Sequence, residues 1–301
     1  MRSGSTLNKI REINKNKTLY LFMLPFALIF AAFVFIPVVI SVYYSFTSFN
    51  VLEVPKWTGI DNYVRLFLYD RVFLIAIKNT FLFAAITGPV GYILCFLFAW
   101  LLNEMTPKLR AVLTLFFYAP SLTNIYVIWK VIFSGDTYGL INAYLLKFGV
   151  ISEPVLWLSN PDYMKTIIII VALWSSLGTS FLAFIAGFGT VDRGLYEAAA
   201  IDGIKNRGQE LWYVTLPVMR PQLLFAAVLS IAGSFGIGSI ITNLVGSPST
   251  DYAAHTIMNH LDDFGSVRFE MGYACTIATI LFLIMVFSNK LVQKLLFKIG
   301  K

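Results

Sequence analysis

The sequence predicts an all-α, polytopic membrane protein with six transmembrane helices, and three observations predict it. Of its 301 residues 58% are apolar and 16% aromatic, while only 13% are charged, and the mean hydropathy is +0.75. A soluble enzyme domain carries about a quarter charged residues, and a disordered chain lacks the apolar surface that 27 Phe and 15 Tyr provide. Next, six charge-free runs are long enough to cross a hydrocarbon core, which takes roughly 20 residues. Finally, the net charge of +7 sits in segments flanking those runs instead of in one basic patch, which is a topology signal and argues against nucleic-acid binding.

The runs are Thr18–Leu52, Asn79–Asn103, Ala111–Trp129, Thr166–Val191, Pro221–Thr250 and Met271–Asn289. Spans are expected near 19–46, 79–103, 110–133, 164–187, 221–243 and 271–293, so that a membrane domain covering 18–296 lies between tails at 1–17 and 297–301. The first apolar stretch is too long for a signal-peptide core and lacks a small-residue cleavage site, so it is expected to stay as a span. Pro25 and Pro37 bend the first span, Pro89 the second and Pro120 the third, each by removing a backbone donor. The break most suited to lining a pathway is Tyr118–Asn124, where polar groups gather beside Pro120. The stretch 137–151, interrupted by Gly139 and Lys147, is too short to cross and reads as interfacial or re-entrant. Lys130 lies near the outer end of span three, where it snorkels or faces a cavity.

Orientation follows from the basic residues. With the N-terminus inside, fifteen Lys and Arg fall in cytoplasmic segments (Arg2 to Lys17, Lys108 and Arg110, Arg193 to Arg220, and Lys290 to Lys301) and six in outer loops (Lys56, Arg65, Arg71, Lys78, Lys147, Arg268). Basic residues are retained on the cytoplasmic side, so both termini are expected there.

Between spans four and five lies the longest cytoplasmic stretch, 188–220. Tyr196–Ile201 is a strong helix former, Gly203 can end that helix at positive φ, and Gln209–Val214 can begin a second helix before Leu216-Pro217. The prediction is a short helix–turn–helix along the inner membrane face.

Here Glu197-Ala198-Ala199, Asp202-Gly203 and Leu216-Pro217 resemble the EAA motif of ATP-binding-cassette importer permeases. Trp57-Thr58-Gly59-Ile60-Asp61-Asn62-Tyr63, Asn79-Thr80, Ala119-Pro120, Trp129 and Gly139-Leu140-Ile141-Asn142 are also similar to carbohydrate-type permeases, and the first span resembles that of maltose-F or glycerol-phosphate-A subunits. The interval from Gly203 to Pro217 is one residue longer than the family pattern, with Gly208 and Trp212 in its variable part. The resemblance implies an importer subunit that is not itself an enzyme, works by alternating access and takes up a carbohydrate, an oligosaccharide or sugar derivative. It implies as partners a second, maltose-G-like permease, two ATPase subunits carrying ATP and Mg, and an extracytoplasmic solute-binding protein. Glu197, Ala198, Ala199, Asp202, Gly203 and Pro217 would couple to the ATPase: the small side chains permit close docking, Gly203 makes the turn, and Glu197 pairs with a basic residue or caps donors.

No phosphate-loop pattern occurs, so nucleotide hydrolysis must come from another subunit, and this chain is expected to bind no cofactor. Cys95 and Cys275 sit in apolar runs and give neither a disulfide framework nor a zinc site. His255 and His260, near Asp262 and Asp263, are expected in a solvated outer loop and not at a metal. Sugar recognition needs aromatic faces with amides and hydroxyls; Asn124, Tyr126, Trp129, Trp174, Ser176, Ser234, Ser239 and Asn243 are the pathway candidates, although such residues also serve as helix packing and interfacial anchors. An ion- or proton-coupled secondary transporter is the alternative, opposed by the lack of intramembrane carboxylates. A non-transporting membrane partner is the third reading.

Overall fold

A computed structural model describes residues 16–122 and 126–296; the tails expected at 1–17 and 297–301, apart from Asn16 and Lys17, lie outside these. The first span, α1 (Lys17–Tyr44), is long and continuous, with a π-turn at Ala31–Phe35 just before Pro37. A π-turn frees backbone groups of the kind a proline disrupts, which keeps the helix running past it. A minimal hairpin follows, in which β1 (Thr47–Ser48) pairs antiparallel with β2 (Lys56–Trp57). After α2 (Asp61–Val64) and a π-turn at Arg65–Tyr69 comes α3 (Arg71–Asn103).

At 33 residues α3 is about 50 Å long at 1.5 Å per residue, well beyond a hydrocarbon core of roughly 30 Å. It begins eight residues before the expected 79, because Asp70 caps it by accepting the Phe73 amide at 2.9 Å. Lys78 ends the charge-free run but not the helix.

Span three, expected as one helix over 110–133, is two. The axes of α4 (Pro107–Leu122) and α5 (Tyr126–Ile132) lie 79° apart across residues 123–125, which are outside the described residues; Pro120 lies within α4, two residues before its end. The interfacial stretch contains α6 (Leu140–Lys147). Span four is α7 (Pro161–Ser175) and α8 (Thr179–Gly189), interrupted at Ser176–Gly178; span five is α11 (Arg220–Phe235) and α12 (Gly238–Val245), interrupted at Gly236 and Ile237. Between them lie α9 (Arg193–Ile201) and α10 (Arg207–Glu210). Near the opposite end of the bundle α13 (Ile257–Asp262) precedes the last span, α14 (Met271–Leu296).

Three apolar clusters form the core, and α3 enters each. Phe73 and Ala76 pack with Ile257, Phe264 and Ile277. Phe83 joins Met164, Ile168 and Ile241. Cys95 and Ala99 join Phe181, Phe184, Met219 and Ala226. Small residues let the helices approach closely: Ser230 Oγ donates to the Gly88 carbonyl (3.0 Å), and a Cβ on Gly91 would meet Ser176 at 3.1 Å. By contrast α1 buries no residue in its most apolar stretch; its second half packs against α14, and Tyr43 meets Trp57 of the hairpin.

Candidate functional site

The segment between α8 and α11 is built by local capping. Asp192 caps α9 through the Gly194 amide (3.0 Å), and Asn206 caps α10 through the Gln209 amide (2.9 Å). Helix α9 closes on Gly203 at φ +95°, with the Ile204 amide donating to the Ala199 carbonyl and the Gly203 amide to that of Ala200 (3.0 and 3.2 Å). That pair of bonds is a Schellman closure, whose left-handed residue favours glycine. The two arms are joined by Tyr196 Oη and Thr215 Oγ1 at 2.9 Å, and buried Met219 packs against Gly187 to fix the segment to α8.

The expected helix–turn–helix is therefore present, with differences in detail. The second helix starts at Arg207 and carries a π-turn at Leu211–Thr215. An i→i+5 turn holds one residue more than an α-turn, so the helix here carries one residue more than a regular α-helix would. Ala198 is exposed, but Ala199 is buried and packs inward, so the two alanines do not share an outward face. Asp202, Gly203 and Pro217 are exposed, as are the large apolar side chains Leu195, Ile201, Trp212 and Tyr213. The outward placement of those four is not legible in the sequence, where an exposed and a buried apolar residue look alike. Glu197 lines a polar cavity of about 530 Å³ beneath the segment, with Glu104, Arg110, Arg193, Arg207 and Glu210.

The pathway candidates fall into two groups. Trp129 meets Trp174 edge-on at 5.2 Å and stacks on Phe133 at 5.8 Å, with Tyr126 on the same cluster. Helix α12, which carries exposed Ser239 and Asn243, packs on α5 and α7; Asn243 Nδ2 donates to the Ser239 carbonyl at 2.8 Å. The breaks of spans three and four adjoin: a Cβ on Gly178 would lie 3.3 Å from Ser121. Trp129 Nε1 and Ser175 Oγ, beside those breaks, are buried without a hydrogen-bond partner. Ser176 and Ser234 instead return their hydroxyls to the Leu173 and Ile231 carbonyls (2.7 and 2.8 Å). Ser234 faces an apolar groove of about 560 Å³ between α3, α11 and α14, away from the aromatic group. Asn124 lies outside the described residues. Lys130 is exposed in the last turn of α5.

The histidine loop departs most from expectation. His255 and His260 are buried, 2% and 3% exposed, and not solvated. His260 Nε2 lies 2.9 Å from Asp70 Oδ2, and His255 Nε2 lies 3.2 Å from His260 Nδ1. Tyr273 also donates to Asp70 at 2.7 Å, and Asn79 Nδ2 donates to the carbonyls of Tyr252 and His255. Because an ionised carboxylate only accepts, donors run from His255 through His260 to Asp70. Burial acts to raise the Asp70 carboxyl, but the hydrogen bonds from His260, the Phe73 amide and Tyr273 outweigh it and hold the group well below the usual range. Burial, reinforced by His260, lowers His255 to about 4. The carboxylate that His260 meets is not the neighbouring Asp262 or Asp263 but Asp70, 190 residues away. Among the described residues no group of three potential ligands forms a metal site.

The family of binding-protein-dependent transport system inner membrane components matches residues 91–298. The probable ABC transporter permease protein YesP of Bacillus subtilis is 31% identical over 290 residues, covering 94% of this chain and 91% of that protein. The arabinooligosaccharides transport system permease protein AraP of Halalkalibacterium halodurans is 31% identical over 271 residues, covering 88% and 83%. A chain of a bacterial alginate ABC transporter, solved in complex with an alginate pentasaccharide-bound periplasmic protein, superposes with TM-score 0.74 at 24% identity over 97% of this chain and 99% of that one; this likeness is one of fold. The chain is thus a multi-pass membrane protein and a transport subunit, not an enzyme, and it belongs to the binding-protein-dependent inner-membrane components, the permeases of ATP-binding-cassette importers.

Proposed function

We propose that this permease imports an oligosaccharide or sugar derivative by alternating access, together with a second, maltose-G-like permease, two cytoplasmic ATPase subunits and an extracytoplasmic binding protein. The observation that carries the reading is the exposed, capped turn at Asp202-Gly203 between two short helices, with Ala198, Ile201, Trp212 and Tyr213 presented outward. A coupling element must pass force without unfolding, and each end of this one is closed by side-chain and backbone hydrogen bonds. The carbohydrate assignment draws on relatives named for arabinooligosaccharides and lactose. Exposed Ser239 and Asn243, near the Trp129–Trp174 pair, offer the amides, hydroxyls and ring faces that sugars require.

In this reading Glu197, Ala198, Asp202, Gly203 and Pro217 lie at the ATPase-facing side and Ala199 supports them from within. Both termini are cytoplasmic, which puts the EAA segment inside and the histidine cluster outside. ATP and Mg bind the partner ATPase, and this chain holds no cofactor. The test is to co-purify the chain with the ATPase, second permease and binding protein encoded beside it, and to measure ATP hydrolysis across a panel of oligosaccharides. Stimulation by a sugar is expected. Absence of a co-purifying ATPase would overturn the reading and favour an ion-coupled transporter.

A further inference from the structure

The polar cavity beneath the coupling segment contains a contact that the EAA resemblance does not cover. Arg207, in the first turn of α10, divides its guanidinium between two carboxylates: Nη1 lies 2.8 Å from Glu210 Oε2 and Nη2 lies 3.4 Å from Glu104 Oε2. Glu210 belongs to the same helix and orients the guanidinium; Glu104 belongs to the turn between spans two and three. Both neighbourhoods carry further hydrogen bonds. Asn206 caps the helix below Arg207, and the Lys205 amide donates to Gln209 Oε1 at 2.9 Å. Glu104 is the residue on which α3 ends, and Arg110 Nη1 donates to Asn103 Oδ1 at 3.0 Å, fastening the start of α4 to the end of α3.

We infer that Arg207 is a positioning residue, clasping the coupling segment to the turn between spans two and three through Glu104. Movement of the segment then reaches those spans directly, and not only along the chain through α8 and α11. The inference rests on the ATPase-coupling role of the segment. Among the described residues this is the one side-chain bond between 193–218 and 103–110. The pair is half exposed, with side-chain exposures of 67% and 48%, so it contributes little to holding the fold. A contact of that strength still biases a two-state equilibrium when it is made in one state only, and allosteric couplings amount to about 5–150-fold. Its position between a moving segment and the longest helix suits that role better than a stabilising one.

The test is a double-mutant cycle on the complete complex in proteoliposomes: wild type, Arg207→Gln, Glu104→Gln, the double variant, and Arg207→Lys. Sugar-stimulated ATP hydrolysis, sugar transported per ATP and the amount of bound ATPase are measured for each. Each glutamine variant is expected to lower stimulated hydrolysis about fivefold, ~1 kcal/mol at 1.36 kcal/mol per decade, and to lower sugar per ATP while the ATPase stays bound. The double variant is expected to be no worse than either single, and Arg207→Lys to keep most of the stimulation. Singles equal to wild type, losses that multiply to about 25-fold, or loss of the ATPase from the complex would each overturn the inference. A wild-type complex without an ATPase would instead remove the reading on which it rests.

Discussion

Gly203 and Gly272 are two glycines with different reasons to be glycine. At φ +95° Gly203 holds a conformation that a β-branched side chain resists. Gly203→Val is expected to abolish sugar-stimulated ATP hydrolysis while membrane insertion, read by fractionation, is retained. Gly272 donates its amide to the Phe49 carbonyl at 2.9 Å, and a Cβ there would collide with the Thr47 carbonyl oxygen. Gly272→Ala is expected to lower stability by about 1–3 kcal/mol, measured by thermal unfolding of the purified protein. The first glycine is legible in the sequence, since the helix formers before it and the turn chemistry after it are local. The second is not, because the strand it touches is more than 200 residues earlier.

His255 gives a pH prediction. Its folded value is lowered from 6.5 to about 4, so the unfolded chain binds more protons, and the stability contributed is complete above 6.5 and lost as pH falls toward 4. The slope is at most about 1.4 kcal/mol per pH unit. Asp70, also lowered, titrates below its ordinary 3.8 and contributes its losses beneath that window. Unfolding curves from pH 7 to 4.5 are expected to weaken in wild type and to flatten in His255→Gln.

Among the elements, those whose boundaries depend on chemistry within one turn were predicted well, and those fixed by distant partners were not. The helix–turn–helix at 193–218 was readable from Asp202-Gly203 and Leu216-Pro217. Counting uncharged residues placed the start of span two at 79, whereas the Asp70 cap, itself held by His260 and Tyr273, places it at Arg71. Pro120 marked the break in span three, but not its 79° bend, because the packing of α5 on α12 sets the direction. The π-turn at Leu211–Thr215 supplies a test at this scale. Deleting Trp212 restores an α-turn and rotates the following residues by about 100°, turning Pro217 and Val218 away from their present face. The variant is expected to insert normally but to retain less ATPase on co-purification.

For the whole molecule, α3 enters all three clusters as one unbroken helix, while span five reaches them through its two pieces α11 and α12. Phe83, fully buried at the middle cluster, is the side chain whose loss would be felt by both ends. Phe83→Ala is expected to cost about 3–5 kcal/mol, seen as a lower midpoint in thermal unfolding and a single transition. Hydropathy could count the spans, yet it could not show this sharing, since each cluster draws residues from segments far apart in sequence.

Helix α3 runs unbroken for about 50 Å, past Pro89 in its interior, so a tilt of the whole helix would move both of its ends. The Arg207–Glu104 contact adjoins one end and the Asp70–His260 contact the other. A tilt of ~5° about the Phe83 region would displace the Arg71 end by about 1.5 Å and the Asn103 end by about 2.5 Å, comparable with the helix shifts that switch subunit interfaces. In the proposed coupling role, movement of the 193–218 segment would reach the Asp70–His260 end of α3 as such a tilt.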